Sequence, residues 1–125
     1  MEAWEIVKLP GLKLLLASLA VPVLLTGCRS PDVYYWGHYE ALVYTAYARP
    51  DKAPPEMQVQ LMEEDLHKAI SVNKPVPPGF HAHLGYLYFQ LGKADLAQQE
   101  FENEKKQFPE SAVFMDRMLA NLSKQ

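Results

Sequence analysis

The residues able to do chemistry are few. Cys28 is the single cysteine; a lone thiol cannot close a disulfide within its own chain, but it can be alkylated or attack an electrophile. His81 and His83 stand two positions apart. On a helix such side chains diverge by ~200° and cannot chelate one ion together. His38 and His67 lie elsewhere, with no second cysteine or dense carboxylate cluster beside them. Ser30, Ser71, Ser111 and Ser123 occupy no Gly-x-Ser-x-Gly elbow. Glu63-Glu64-Asp65 offers adjacent carboxylates, but consecutive helical positions point apart, and a solvated face explains them. No glycine loop is spaced to cradle phosphate. The expectation is a protein that is not an enzyme, with no catalytic residues, no metal and no cofactor. A formal net charge of −3, with cations interspersed among acidic residues, supplies no basic field for nucleic acid and no polybasic grip on anionic lipid.

Cys28 gains meaning from what precedes it. Residues 12–25 are almost all apolar, with Lys8 and Lys13 at their front. The uninterrupted run is about a dozen residues, short of the ~20 that span a bilayer, and it has the layout of a secretory signal. Glu2 and Glu5 are unusual there. The segment closes Leu25-Thr26-Gly27-Cys28, which resembles the lipobox of bacterial lipoprotein precursors. That resemblance implies a signal peptide over residues 1–27, recognised through Leu25, Thr26 and Gly27. The Cys28 sulfur then carries a diacylglyceryl group, and the small neighbours admit the peptidase. Two or three acyl chains, each methylene contributing about 0.8 kcal/mol on burial, hold firmly without a protein helix. Arg29 after the cysteine, where Asp would imply inner-membrane retention, favours the outer membrane, facing the periplasm. Residues 28–33 then form a short tether. From Arg29 to Val33 it reaches at most about 18 Å, which keeps the folded part near the bilayer.

At 125 residues the chain has room for one domain. Prolines divide the part after the tether: Pro50, Pro54 and Pro55, then Pro75, Pro77 and Pro78, then Pro109. Between them apolar residues recur every three or four positions, which predicts helices and no strand. The expected helices cover about 34–48 (Trp36, Tyr39, Val43 and Tyr47 on one stripe), 55–72 (Val59, Met62, Leu66, Ala69, Ile70), 79–91, 94–108 and 111–122. Tyr34, Tyr35, Trp36, Tyr39, Tyr44 and Tyr47 crowd the first of them. One stripe cannot hide them all; the remainder would rest at a membrane interface or in a partner's groove.

Residues 81–109 resemble a tetratricopeptide repeat. Leu84 and Gly85 form its Leu-Gly pair, Tyr88 follows three residues on, Gly92 sits at the turn, Ala97 and Phe101 supply Ala-x3-Phe, and Pro109 closes the unit. Gly85 and Ala97 are small so that two helices can approach, and Phe101 fills the space beside them. His81 departs from the expected Trp, and Glu104 from a usual Ala. A weaker copy begins at Trp36-Gly37. The implied fold is all-α: about two helical hairpins plus a C-terminal capping helix over residues 34–125. First helices of such repeats line a partner-binding groove. By position the candidates are Ala82, Tyr86, Phe89 and Gln90 from the strong anchor, and Tyr34, His38, Ala41 and Leu42 from the weak one.

The runs Tyr34-Tyr35-Trp36-Gly37-His38-Tyr39-Glu40 and Pro77-Pro78-Gly79-Phe80-His81-Ala82-His83-Leu84-Gly85-Tyr86-Leu87-Tyr88 resemble small bacterial lipoproteins that form a domain family of unknown function. Members tend to be encoded beside a lipoprotein similar to the curli secretion channel and beside another small lipoprotein. The resemblance implies a membrane-anchored periplasmic scaffold for protein–protein contacts, accessory to secretion or envelope assembly, with a channel-like lipoprotein or its companion as partner. A self-associating structural envelope lipoprotein is the alternative, and an accessory enzyme or metal handler using His81 and His83 a third. Two hairpins and a cap fall short of the three repeats that usually bury each other's faces, so exposed apolar area and association, homo-oligomers included, are expected.

Overall fold

The computed structural model describes residues 32–124. They contain five α-helices: α1 (Tyr39–Ala48), α2 (Pro55–Ser71), α3 (Phe80–Gln90), α4 (Ala94–Gln107) and α5 (Ala112–Leu122). Short 3-10 turns, Pro50–Lys52 and Pro109–Ser111, lead into α2 and α5. Among the described residues there is no strand, as the periodicity predicts, and no helix long and apolar enough to cross a membrane. The signal segment, Leu25, Thr26, Gly27 and Cys28 lie outside the described residues.

Local chemistry sets the helix ends. Pro55 takes the first position of α2, where a missing N–H costs nothing, and Glu56 follows in the first turn. Asn73, with φ 52°, ends α2: its N–H bonds the Ile70 carbonyl (3.0 Å) and the Lys74 N–H bonds that of Ala69 (3.0 Å). Gly92, with φ 71°, ends α3 in the same way, through Phe89 (3.0 Å) and, from Lys93, Tyr88 (2.9 Å). Both satisfy carbonyls that a helix end leaves orphaned. Phe108, extended ahead of Pro109, stops α4.

The first helix begins five residues later than the sequence pattern indicates. The Tyr35 N–H bonds the Pro75 carbonyl (2.8 Å), so this stretch lies along the α2–α3 connection rather than coiling. Gly37 then has φ 48°, a left-handed conformation incompatible with a helix interior.

Helices pack mainly on their sequence neighbours, and α3 lies between α2 and α4. It contributes Phe80, Leu84, Leu87 and Tyr88 to a core shared with Val59, Met62 and Ala69 of α2, Ala97 and Phe101 of α4, and Met115 of α5. Gly85 marks the tightest approach. A Cβ there would lie 2.7 Å from the Phe101 ring and 3.1 Å from the Ala97 carbonyl oxygen, so only glycine lets α3 and α4 close to this distance. From α1 only Leu42 is buried.

Candidate functional site

Helices α1 and α3 start by the same device, a buried carboxylate reaching across from the helix that follows. Asp65 of α2, 2% exposed, accepts the His38 backbone N–H (2.6 Å) and its imidazole Nδ1 (2.9 Å). Its carboxylate occupies the space that a Cβ on Gly37 would need. Glu104 of α4, equally buried, accepts the N–H groups of Gly79 (2.7 Å) and Ala82 (3.3 Å) at the start of α3. Unsatisfied N–H groups and the positive dipole end make a helix N-terminus a ready anion acceptor. Neither helix has a local side-chain cap, and the carboxylates fill that role from a distance.

Further polar contacts tie the helices together. His81 Nδ1 meets the Glu100 carboxylate at 2.6 Å with both side chains buried. The Tyr88 hydroxyl donates to Glu63, and burial together with that carboxylate pushes the phenol well above its usual range. Tyr39 packs on Phe80 (5.2 Å between centroids) and on the His83 ring (5.9 Å). Burial, and then the Glu104 charge, raise its phenol to about 12. Burial also lowers the His83 imidazole below its ordinary value. Each polar group so far has a structural task.

Among the described residues several apolar surfaces remain open, and two of them gather aromatic side chains. One is a cavity of ≈ 290 Å³ lined by Ala82, His83, Tyr86, Phe101, Phe114 and Met118, where α3, α4 and α5 meet. The other is the outward face of α1: Trp36, Tyr39, Glu40, Val43, Tyr44 and Tyr47 line a shallow depression of ≈ 480 Å³. Tyr44 is 67% and Tyr47 90% exposed.

Of the groove residues read from the strong anchor, Ala82 and Tyr86 share the cavity. Gln90 is exposed, and Phe89 is half-buried against the core. Those read from the weak anchor do not come together. Tyr34 packs on Phe108 (6.2 Å), His38 is held by Asp65, Ala41 is exposed, and Leu42, only 5% exposed, belongs to the core. The register fails because Trp36-Gly37 precedes α1 instead of lying inside it. Of the expected stripe, Trp36, Val43 and Tyr47 accordingly face outward, and Tyr39 alone packs against the core.

Among the repeat-defining residues, Leu84, Gly85, Tyr88, Ala97 and Phe101 are buried at the α3–α4 contact, Gly92 turns the chain, and Pro109 opens a 3-10 turn. Asp65, read as part of a solvated acidic face, is buried. Glu100 and Glu104 are buried acids as well. One signal for them was present: His81 and Glu104 are the two departures from the repeat pattern, and each marks a buried polar contact. His81 and His83 share no site. Among the described residues no group of three His, Cys, Asp or Glu side chains is placed to hold a metal ion.

With two N-terminal caps supplied from neighbouring helices and open apolar surfaces, the described residues form an all-α domain. The chain belongs to the domain of unknown function family DUF4810, whose model matches residues 33–118. No curated protein and no solved structure matches the chain.

Proposed function

We propose that the mature protein is a lipid-anchored, non-enzymatic interaction module of the cell envelope. Its helices form two hairpins of tetratricopeptide-repeat type, α1–α2 and α3–α4, with α5 as the cap. The lipid sits on Cys28 after removal of residues 1–27, at the outer membrane facing the periplasm. The partner is another envelope lipoprotein, channel-like by the resemblance of the sequence.

The observation that carries this reading is the open cavity around Tyr86. Apolar side chains from Ala82, Phe114 and Met118 converge there with the half-buried His83 ring, and Val113 and Phe114 beside it are 69% and 59% exposed. A cleft of this kind, apolar with one or two polar tips, is what a protein segment with an aliphatic or aromatic anchor would fill. First helices of the repeat family present their grooves from the equivalent positions, and Ala82 and Tyr86 fall there.

The test is site-specific photocrosslinking in intact cells from position 86 or 114, with position 98 on exposed α4 as control. The expected result is one stoichiometric heterologous envelope protein captured from 86 and 114 and not from 98. Capture of a second copy alone would replace this reading with a self-associating structural protein. Intact-mass measurement of the membrane fraction reads the anchor: acyl mass on Cys28, lost together with membrane association in Cys28→Ser.

A further inference from the structure

We infer that the outward aromatic face of α1 docks on the lipid–water interface of the membrane that carries the anchor, an inference that rests on the lipid-anchor reading above. Trp36, Val43, Tyr44 and Tyr47 lie along one side of α1 and its approach, with Glu40 the single charged side chain among them. Leu42, on the opposite side, binds α1 to the rest of the fold. The exposed set is thus what remains after the core has taken its share.

Three observations select a bilayer as the occupant. First, Trp36 follows Cys28 by eight residues, at most about 29 Å of extended chain, and α1 is the first helix of the described fold. A lipid on Cys28 therefore holds this face within reach of the membrane surface. Second, the side chains are of the type that gathers at membrane interfaces: rings with an apolar body and a hydroxyl or indole N–H at the rim. Third, α1 is ten residues long, about 15 Å, and beyond Tyr39, which packs on Phe80, its Val43, Tyr44 and Tyr47 side chains are exposed, as an in-plane interfacial helix requires. With no basic cluster on this face, the contact depends on the rings and is insensitive to salt. The tether and α1 together then fix how the protein stands on the membrane and leave the Tyr86 cavity free for a protein partner.

The experiment uses the mature lipidated protein, in which Trp36 is the one indole once residues 1–27, and Trp4 with them, are removed. It is purified from membranes and reconstituted into phosphatidylethanolamine–phosphatidylglycerol vesicles with or without bromine on the upper acyl chain. The expected result is loss of Trp36 emission in brominated vesicles, unchanged by salt, and recovery of that emission in the Tyr44→Ser/Tyr47→Ser double variant. Those two side chains are exposed, so the variant keeps the core. An indole moved to the cavity (Trp36→Phe with Tyr86→Trp) is expected to stay bright. Intact mass on the same sample reads the anchor separately. Acylated Cys28 with an unquenched Trp36 overturns the docking alone, whereas a free thiol overturns the anchor and the docking with it. Trp36 shielded by a second copy or by another protein, and not by lipid, also overturns it.

Discussion

The two helix pairs, α1 with α2 and α3 with α4, start alike and end differently. In both, a carboxylate on the second helix caps the first: Asp65 for α1 and Glu104 for α3. In the α3–α4 pair, Gly85 lets Phe101 press against the backbone, and Phe80, Leu84, Leu87 and Tyr88 are all buried. In the α1–α2 pair the first helix buries Leu42 and leaves Tyr44 and Tyr47 outside. The difference is one of position. Helix α3 has packing partners on both sides, while α1 contacts α2 and, through Tyr39, the start of α3. Shared caps secure where each helix begins, but only neighbours decide how much of it is buried.

The largest expected effect tests the tightly packed side. Phe101→Ala removes a ring buried between α3, α4 and α5, and such truncations cost about 3–5 kcal/mol. The expected outcome is a fall in the denaturant midpoint large enough to unfold a substantial fraction at 37 °C, followed by circular dichroism. A loss no larger than that of Leu42→Ala would remove the distinction between the two helix pairs.

Next comes the cap of α1. Gly37→Ala puts a side chain into a left-handed backbone and displaces the Asp65 carboxylate. Left-handed strain of about 1–2 kcal/mol adds to a charged hydrogen bond worth about 1.5–3 kcal/mol, so a loss of about 2.5–5 kcal/mol is expected in urea unfolding. Asp65→Asn, which keeps an acceptor, is expected to lose less than Gly37→Ala. Were it to lose more, charge rather than space would govern the cap.

This cap also shows where the sequence stopped being legible. Periodicity was sufficient for the bounds of α2 to α5 and for most of their buried positions, although Ile70, read as a core position of α2, is 70% exposed. For α1 the same pattern gave the wrong register. Its regularly spaced aromatics are not the buried ones, and its start is set by Asp65, 28 residues after Gly37. A cap supplied from so far away has no local signature. Glu104 differed only because the repeat pattern made it conspicuous. Of the candidate surface, Ala82 and Tyr86 were readable from the repeat register, but Phe114 and Met118 complete the cavity from α5 through packing that no spacing rule encodes.

A smaller effect comes from His83, at the junction of the two regions beside Tyr39. Burial lowers its folded-state pKa below the ordinary 6.5. The unfolded chain therefore takes up a proton before the native one does. Stability from this group is fully present above that value and falls as the pH drops through it, until the native ring is protonated too. Denaturant midpoints for wild type and His83→Gln, compared at about pH 7.5 and pH 5.5, are expected to show a steeper acid loss in wild type. Parallel losses would mean that burial of His83 contributes nothing to acid sensitivity.

The smallest effect on stability bears most directly on the open face. Tyr44 and Tyr47 are 67% and 90% exposed, and neither takes part in a hydrogen bond or aromatic contact described for the fold. Surface substitutions without such contacts stay within about 0.5 kcal/mol, so Tyr44→Ser/Tyr47→Ser is expected to leave the unfolding midpoint where it was. If folding alone had shaped the chain, there would be no physical reason for two exposed aromatic rings at these positions, since serine would serve the fold equally well and aggregate less. A clear destabilisation would place the rings in the fold's own packing and erase the contrast between α1 and α3. An unchanged midpoint assigns them to something outside the fold.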